Sequence, residues 1–215
     1  MPVRACRFDS CLGQWTRFSL AKGRSFNGER SRMFVAEFDG VILVPFCERH
    51  AADICRWANT DQEVRWLAPS TSPPLTPEKV LAWLRPGGYA YVYRPITPAV
   101  ANVNHPDESS TEPLAYGELN PMPNETLHWW LGHCVVRPGL RGRGIGLQFV
   151  RELLGKAFGL HAARRVSLIV FPDNEPAIRC YRRAGFVQIG QEFHSFREPR
   201  EKLLRLEIHS AKWAT

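Results

Sequence analysis

Nowhere does this 215-residue chain hold an apolar run approaching the roughly 20 residues that a membrane-crossing helix needs. Its six cysteines include no C-x-x-C pair, so neither a zinc site, a redox dithiol nor a disulfide scaffold is indicated, and no metal is expected. The first residues contain no apolar segment of the kind that marks a secretory leader, which makes a cytoplasmic location with reduced thiols the expectation. Internal repeats and heptads are absent as well. With 44% apolar and 23% charged residues, the composition excludes a disordered chain, a collagen-like fibre and a coiled coil. Charge of one sign is also scarce once its position is considered. The net charge is +7, but residues 1–32 hold seven basic groups and two acids, leaving 21 basic and 19 acidic groups for the rest. The body therefore offers no charge argument for nucleic acid or another polyanion.

Residues 1–32 are rich in Arg, Ser and Gly without sustained periodicity and read as a basic, flexible extension. Residues 33–215 read as one domain, and Met33 is a candidate start of translation. Alternation predicts a strand from Phe34 to Pro45. A helix is expected over Glu48–Asn59, then a Ser/Thr/Pro loop over Ala68–Pro77. Thr76-Pro77-Glu78 has the cap residue, the N1 proline and the first-turn acid that open a helix, here Glu78–Leu84. Strands follow at Tyr89–Tyr93, Leu114–Leu119 and Leu127–Val136, with a loop over 95–113 and a turn over Asn120–Asn124. A helix over Gly144–Gly159 carries an apolar stripe of Phe149, Val150, Leu153, Leu154, Ala157 and Phe158. Val166–Phe171 is an apolar strand. Glu175–Ala184 is a helix between a capping Asn174 and a terminating Gly185. Val187–Phe196 and Leu203–Ile208 complete the pattern. The order β-α-α-β-β-β-α-β-α-β-β implies an α/β (α+β) fold, with a mixed, mostly antiparallel sheet of about six or seven strands and helices on both faces.

One segment carries chemistry. Arg141-Gly142-Arg143-Gly144-Ile145-Gly146 lies between the strand ending at Val136 and the following helix. Glycines allow close approach of the main chain, and a helix N-terminus adds unpaired N–H groups and a dipole, so a phosphate or pyrophosphate ligand is expected. The Walker A pattern fails because Ile145-Gly146 stand where Lys and a hydroxyl are required. The dinucleotide G-x-G-x-x-G fails at Leu147.

The loop does match [QR]-x-x-G-x-[GA], and here the chain resembles the GNAT family of N-acetyltransferases. Gly132-His133-Cys134-Val135-Val136-Arg137-Pro138 resembles that family's fourth strand and its exit. Asn174 to Phe186 is similar to its N-x-x-A…Y-x-x-x-G-F helix. The match is close over about 127–190, and the order of elements agrees from about 34. The resemblance implies a GNAT-like acyl-CoA N-acyltransferase fold, acetyl-CoA as cofactor, and direct transfer of acetyl to a primary amine in a ternary complex. It implies that Arg141, Gly142, Arg143, Gly144, Ile145 and Gly146 hold the pyrophosphate. Cys134, Val135 and Val136 would pair with the pantetheine arm, and Asn174 would bond it. Tyr181 would line the cofactor site and protonate the leaving thiolate. Pairing into a homodimer stays open.

The family often places a glutamate on the fourth strand as base, but Leu127–His133 holds no carboxylate. Glu118 on the preceding strand is the nearest candidate, followed by His128 and His133. Freeing a lysine amine at neutral pH costs roughly 4 kcal/mol and an α-amino group only about 1. The missing base therefore slightly favours a low-pKa amine or a water relay. The acceptor region, about 48–84 plus strand ends, is aromatic and mixed in charge, with Trp57, Trp66, Trp83, Trp129 and Trp130 beside Asp53, Asp61 and Glu63. Leu43–Phe46 followed by Ala51–Trp57 looks like the branch of ribosomal-protein N-terminal and aminoglycoside acetyltransferases. Two alternatives are a CoA-binding regulatory module without turnover, and a nucleic-acid or membrane-surface binder acting through the basic tail. Deleting residues 1–32 would test the second through a steeply salt-dependent binding.

Overall fold

Apolar residues on both faces of the central strands force the sheet to be covered twice. In β2 (Tyr89–Pro95), Tyr91 and Tyr93 bury on one face while Ala90 and Val92 bury on the other. The computed structural model describes residues 40–96, 112–196 and 200–213. Besides β2, the strands are β1 (Val41–Pro45), β3 (Ala115–Pro121), β4 (His128–Val136), β5 (Arg165–Val170), β6 (Val187–His194) and β7 (Glu201–His209), in the order β1-β2-β3-β4-β5-β7-β6. Every neighbouring pair is antiparallel except β4 with β5.

The helices divide between the faces. On one side lie α1 (Ala51–Trp57), α2 (Asp61–Leu67) and α3 (Pro77–Leu81), whose Ile54, Trp57, Val64 and Val80 bury against Val92 and Tyr116. On the other lie α4 (Ile145–Gly155), prolonged by a π-helical turn over Lys156–Leu160, and α5 (Glu175–Ala184). A short α6 (Ser210–Trp213) ends the described chain. Phe149, Leu153 and Leu154 of α4 are almost wholly buried, each contributing about 1.5–3 kcal/mol of transfer free energy. Gly117 sits under this helix: a Cβ there would come within 2.9 Å of Cys134 Sγ and 3.0 Å of a Phe149 ring carbon.

The expected layers and strand series are present, with several local differences. The α2 helix is an addition, and its start was readable: Thr60 Oγ1 accepts from Glu63 N (3.2 Å), and Glu63 Oε2 accepts from Thr60 N (3.3 Å). This is a reciprocal Thr-x-x-Glu cap. The helix expected over Glu48–Asn59 divides into a 3-10 turn (Glu48–His50) and α1, and that expected over Glu78–Leu84 stops at Leu81. Asn120 and Pro121, expected in a turn, extend β3 because they pair with Trp130 and Trp129. The basic extension, the first residues of the strand expected from Phe34, and most of the loop expected over 95–113 lie outside the described residues. Among the described residues no helix is long and apolar enough to cross a membrane.

Candidate active site

The site begins where the sheet opens. β4 pairs with β5 at only three positions, His128 with Arg165, Trp129 with Val166 and Trp130 with Ser167. From Leu131 to Val136, β4 keeps its β3 partner but leaves β5, so the main chain along that edge faces a gap. A buried polar clasp fixes the point of departure. His128 takes Glu125 Oε2 on Nδ1 (2.9 Å) and Ser167 Oγ on Nε2, and Ser167 donates onward to Glu207 Oε2 (3.1 Å). Ser167 is 0% exposed and His128 2%, so both groups tie the strands together and neither faces the gap.

Beyond β4 the chain runs through Pro138–Leu140 into the glycine loop. Gly142 (φ +76°) and Gly144 (φ +89°) adopt the left-handed conformation that L side chains avoid. Gly144 caps α4, whose first amides have no intrahelical acceptor. A Cβ on Gly146 would press to 3.3 Å from Val136 Cγ2. Arg141 anchors the loop: its amide bonds Pro138 O (3.2 Å), and its guanidinium bonds Val136 O (3.0 Å), Trp57 O (2.7 Å) and Glu63. It therefore joins the loop to α1 and α2. Burial raises Glu63, but Arg141 and the Asn59 and Thr60 amides prevail and hold its carboxyl below the ordinary range.

The gap opens into a cavity lined by Leu131–Cys134 of β4, the end of β5, and Asn174, Ala177 and Tyr181 of the α5 segment. Asn174 Oδ1 accepts from Ala177 N (3.3 Å), so it caps α5 while facing the cavity. Burial, with the Cys134 and Cys180 thiols close by, raises Tyr181 well above the usual phenol range. Burial likewise pushes the Cys134 thiol far up, and the Cys180 thiol to about 11. Anionic sulfur is thus strongly disfavoured in this gap, while the phenol keeps its proton.

A β-bulge sets the opposite wall. Tyr116 pairs with Val135 but Glu118 pairs with Gly132, so β4 carries an extra residue, and His133 sits at φ +46°. Its ring stacks on Trp83 (centroids 4.4 Å apart, planes 14° apart), and Nδ1 lies 3.0 Å from Glu118 Oε2. Nδ1 is sealed from solvent although the side chain is 25% exposed, so the open part of the ring is the side away from Nδ1. Glu118 is 0% exposed. Tyr116 Oη donates to its Oε1 (2.5 Å) and Asn120 Nδ2 to its Oε2 (3.1 Å), a row of alternate β3 residues on one face. Burial pushes the Glu118 carboxyl up, but His133, Tyr116 and Asn120 together outweigh it and hold it below the ordinary range. Glu118 is thus a buried anion behind His133 and does not line the cavity.

The expected tryptophan stripe separates. Trp57 is core, with Nε1 donating to Glu112 (3.3 Å). Trp83 backs His133, and Trp66 and Trp130 line the cavity. Trp129 lies in a cluster with Tyr89 and His161. Among the described residues no group of His, Cys, Asp or Glu is arranged to hold a metal.

A splayed strand pair, a glycine loop opening a helix and a partly buried tyrosine beside the gap meet around one sheet. The family model for the acetyltransferase (GNAT) family matches residues 52–186. The chain belongs to the GNAT family. As a GNAT protein it is an acetyl-CoA-dependent N-acetyltransferase. It is similar to aminoglycoside N(6')-acetyltransferase type 1 of Klebsiella pneumoniae, 26% identical over 164 residues that cover 71% of this chain and 76% of that protein. The GNAT fold is shared with spermidine N-acetyltransferase from Vibrio cholerae in complex with CoA and spermine (TM-score 0.64, 14% identity, 81% of this chain and 98% of that one). It is shared also with aminoglycoside acetyltransferase AAC(6')-Ib in complex with coenzyme A (TM-score 0.59, 18% identity, 81% and 98%).

Proposed function

We propose that the β4–β5 gap seats the pantetheine arm of acetyl-CoA and that His133 and Tyr181, on its two sides, move the protons of acetyl transfer to an amine. The observation carrying this reading is that one cavity holds an imidazole backed by a buried carboxylate and a phenol beside groups whose thiolates are suppressed. The loop fits a diphosphate: the main chain of Gly142, Arg143, Gly144, Ile145 and Gly146 is bared by glycine at the head of α4, and Arg141 braces it. The unpaired edge of β4, with Cys134, Val135 and Val136, together with Asn174, suits an arm that carries amide groups.

Acetyl-CoA supplies an acetyl group activated as a thioester with a thiol as leaving group. The chain's part is to remove one proton and supply another. The ionised Glu118 favours the His133 tautomer with its proton on Nδ1, leaving Nε2 to accept a proton from the incoming ammonium or amine. Glu118 thereby becomes a positioning residue. Tyr181 holds its proton until a thiolate needs it, and the gap penalises the departing thiolate by burial just as it penalises the phenolate. A cytoplasmic location suits the four described cysteines, all of which are free thiols.

The relatives supply a second reading of the acceptor, since their names specify aminoglycosides and spermidine. Two measurements test the catalytic proposal. Calorimetry should detect acetyl-CoA binding in the full chain, and Tyr181→Phe should retain that binding while CoA thiol release in the presence of an amine falls by about 10²-fold. Undiminished turnover by the phenylalanine variant would remove the tyrosine from the reaction.

A further inference from the structure

An acceptor amine arrives positively charged, and the part of the cavity away from the glycine loop decides how many such charges it can take. Among the described residues that line it there is no carboxylate, and Arg85 is the sole charged group. Its guanidinium has no partner among the described residues. The walls are aromatic and aliphatic: Trp66, Trp130, Phe171, Phe196 and Leu203. From these observations we propose that the acceptor is a monoamine on a flat, apolar body and that polycations are poor acceptors. The proposal rests on the acetyl-transfer reading above and concerns only the acceptor half of the same cavity.

Acids do stand behind the wall, but they are already engaged. Asp173 accepts from Arg65 Nη1 (3.0 Å), Trp66 Nε1 (3.1 Å) and Gln62 Nε2 (3.2 Å). Glu201 pairs with the Nε of the same Arg65 (2.5 Å). Counted with Glu118 behind His133 and with Arg85 of the lining, three carboxylates stand against two guanidinium groups, a surplus of one negative charge and enough for one ammonium group. Aromatic faces could also hold cations, yet two of them carry one. Arg65 lies 3.9 Å over the Phe171 ring and Arg205 5.1 Å from the Trp130 ring. A second or third ammonium would therefore lose its water against apolar rings and existing guanidinium groups, with no further carboxylate among the described lining residues to meet it. A single amine on a planar hydrocarbon meets none of these penalties. Its body lies along Trp66 and Trp130, and its nitrogen reaches towards His133.

The test uses the full chain with acetyl-CoA as donor and reads CoA thiol release. Phenethylamine, kanamycin and spermidine are compared as acceptors, and acetyl-CoA binding is measured separately by calorimetry. Phenethylamine should show a kcat/KM at least about tenfold above either polycation. Kanamycin or spermidine matching or exceeding it overturns the proposal, as does a chain that binds acetyl-CoA but acetylates none of the three. A chain that fails to bind acetyl-CoA overturns the transfer reading itself, a distinct result. In Trp66→Ala, KM for phenethylamine should rise about fivefold while acetyl-CoA affinity holds. An unchanged KM would take this wall out of the acceptor site and sink the proposal.

Discussion

The proposed donor and acceptor halves of the site are made of different material. On the cofactor side the working groups are main chain: the bare turn at Gly142–Gly146 and the β4 edge that leaves β5 after Trp130. On the acceptor side they are side chains, gathered from α2, the segment before β2, β4 and β7. Main-chain sites are set by conformation, which glycine spacing dictates locally. Side-chain sites depend on which distant segments the fold brings together. The first kind can stay recognisable while the second changes its chemistry, and that is how relatives with different acceptors can share a donor.

Substitutions can separate the halves, and the largest effect is expected at His133. His133→Ala should lower kcat by about 10²–10⁴-fold, with acetyl-CoA affinity nearly unchanged in calorimetry. A fall in acetyl-CoA affinity parallel to the loss of rate would instead place His133 in the cofactor half. The cofactor half itself should respond to Gly142→Val. At φ +76° a β-branched side chain should weaken acetyl-CoA binding by about tenfold, through roughly 1–2 kcal/mol of backbone strain. The KM of the amine should stay within about twofold, which steady-state kinetics can resolve.

Smaller effects probe the frame that holds the halves together. Gly117→Ala forces a methyl into Cys134 and α4, and overpacking of this kind costs about 1–3 kcal/mol, readable as a lower urea midpoint. The smallest effect concerns acid. Because Glu118 is held below its ordinary value in the folded chain, it contributes stability above the unfolded carboxyl value of about 4.3. That contribution disappears as the pH falls through the folded value. Glu118→Gln should therefore lose less stability than the parent chain between about pH 5 and pH 3, as measured by denaturant midpoints. An equally steep acid limb in both proteins would show that Glu118 is not the group responsible.

The legibility of this chain follows the same division. The glycine loop, the apolar β5 strand and α5 with its Asn174 and Gly185 caps are local patterns, and the structure places them as read. The α2 helix is faint in the sequence although Thr60-x-x-Glu63 announces it, because only Val64 and Leu67 of its seven residues are buried and its apolar stripe is short. Glu118 is legible only as the nearest carboxylate to a strand that holds none, and its neighbours Tyr116 and Asn120 stand at the alternate spacing that marks a buried network. The bulge at His133 left no comparable signal. A histidine at φ +46° is unexpected in a strand, and only the pairing of Glu118 with Gly132 shows why its ring meets Trp83 and Glu118. The engagement of Asp173 and Glu201 by Arg65, which settles the charge behind the acceptor wall, spans more than a hundred positions and cannot be seen in a linear reading.

The parting of β4 from β5 makes the seven-stranded layer two blocks stitched at three rungs. On the reading proposed above, a cofactor arm bonded to the bare edge of β4 would stand in the slot as a surrogate strand. Loading the enzyme then does more than deliver a reagent: it finishes the architecture, and donor occupancy should slow amide exchange on both sides of the slot at once.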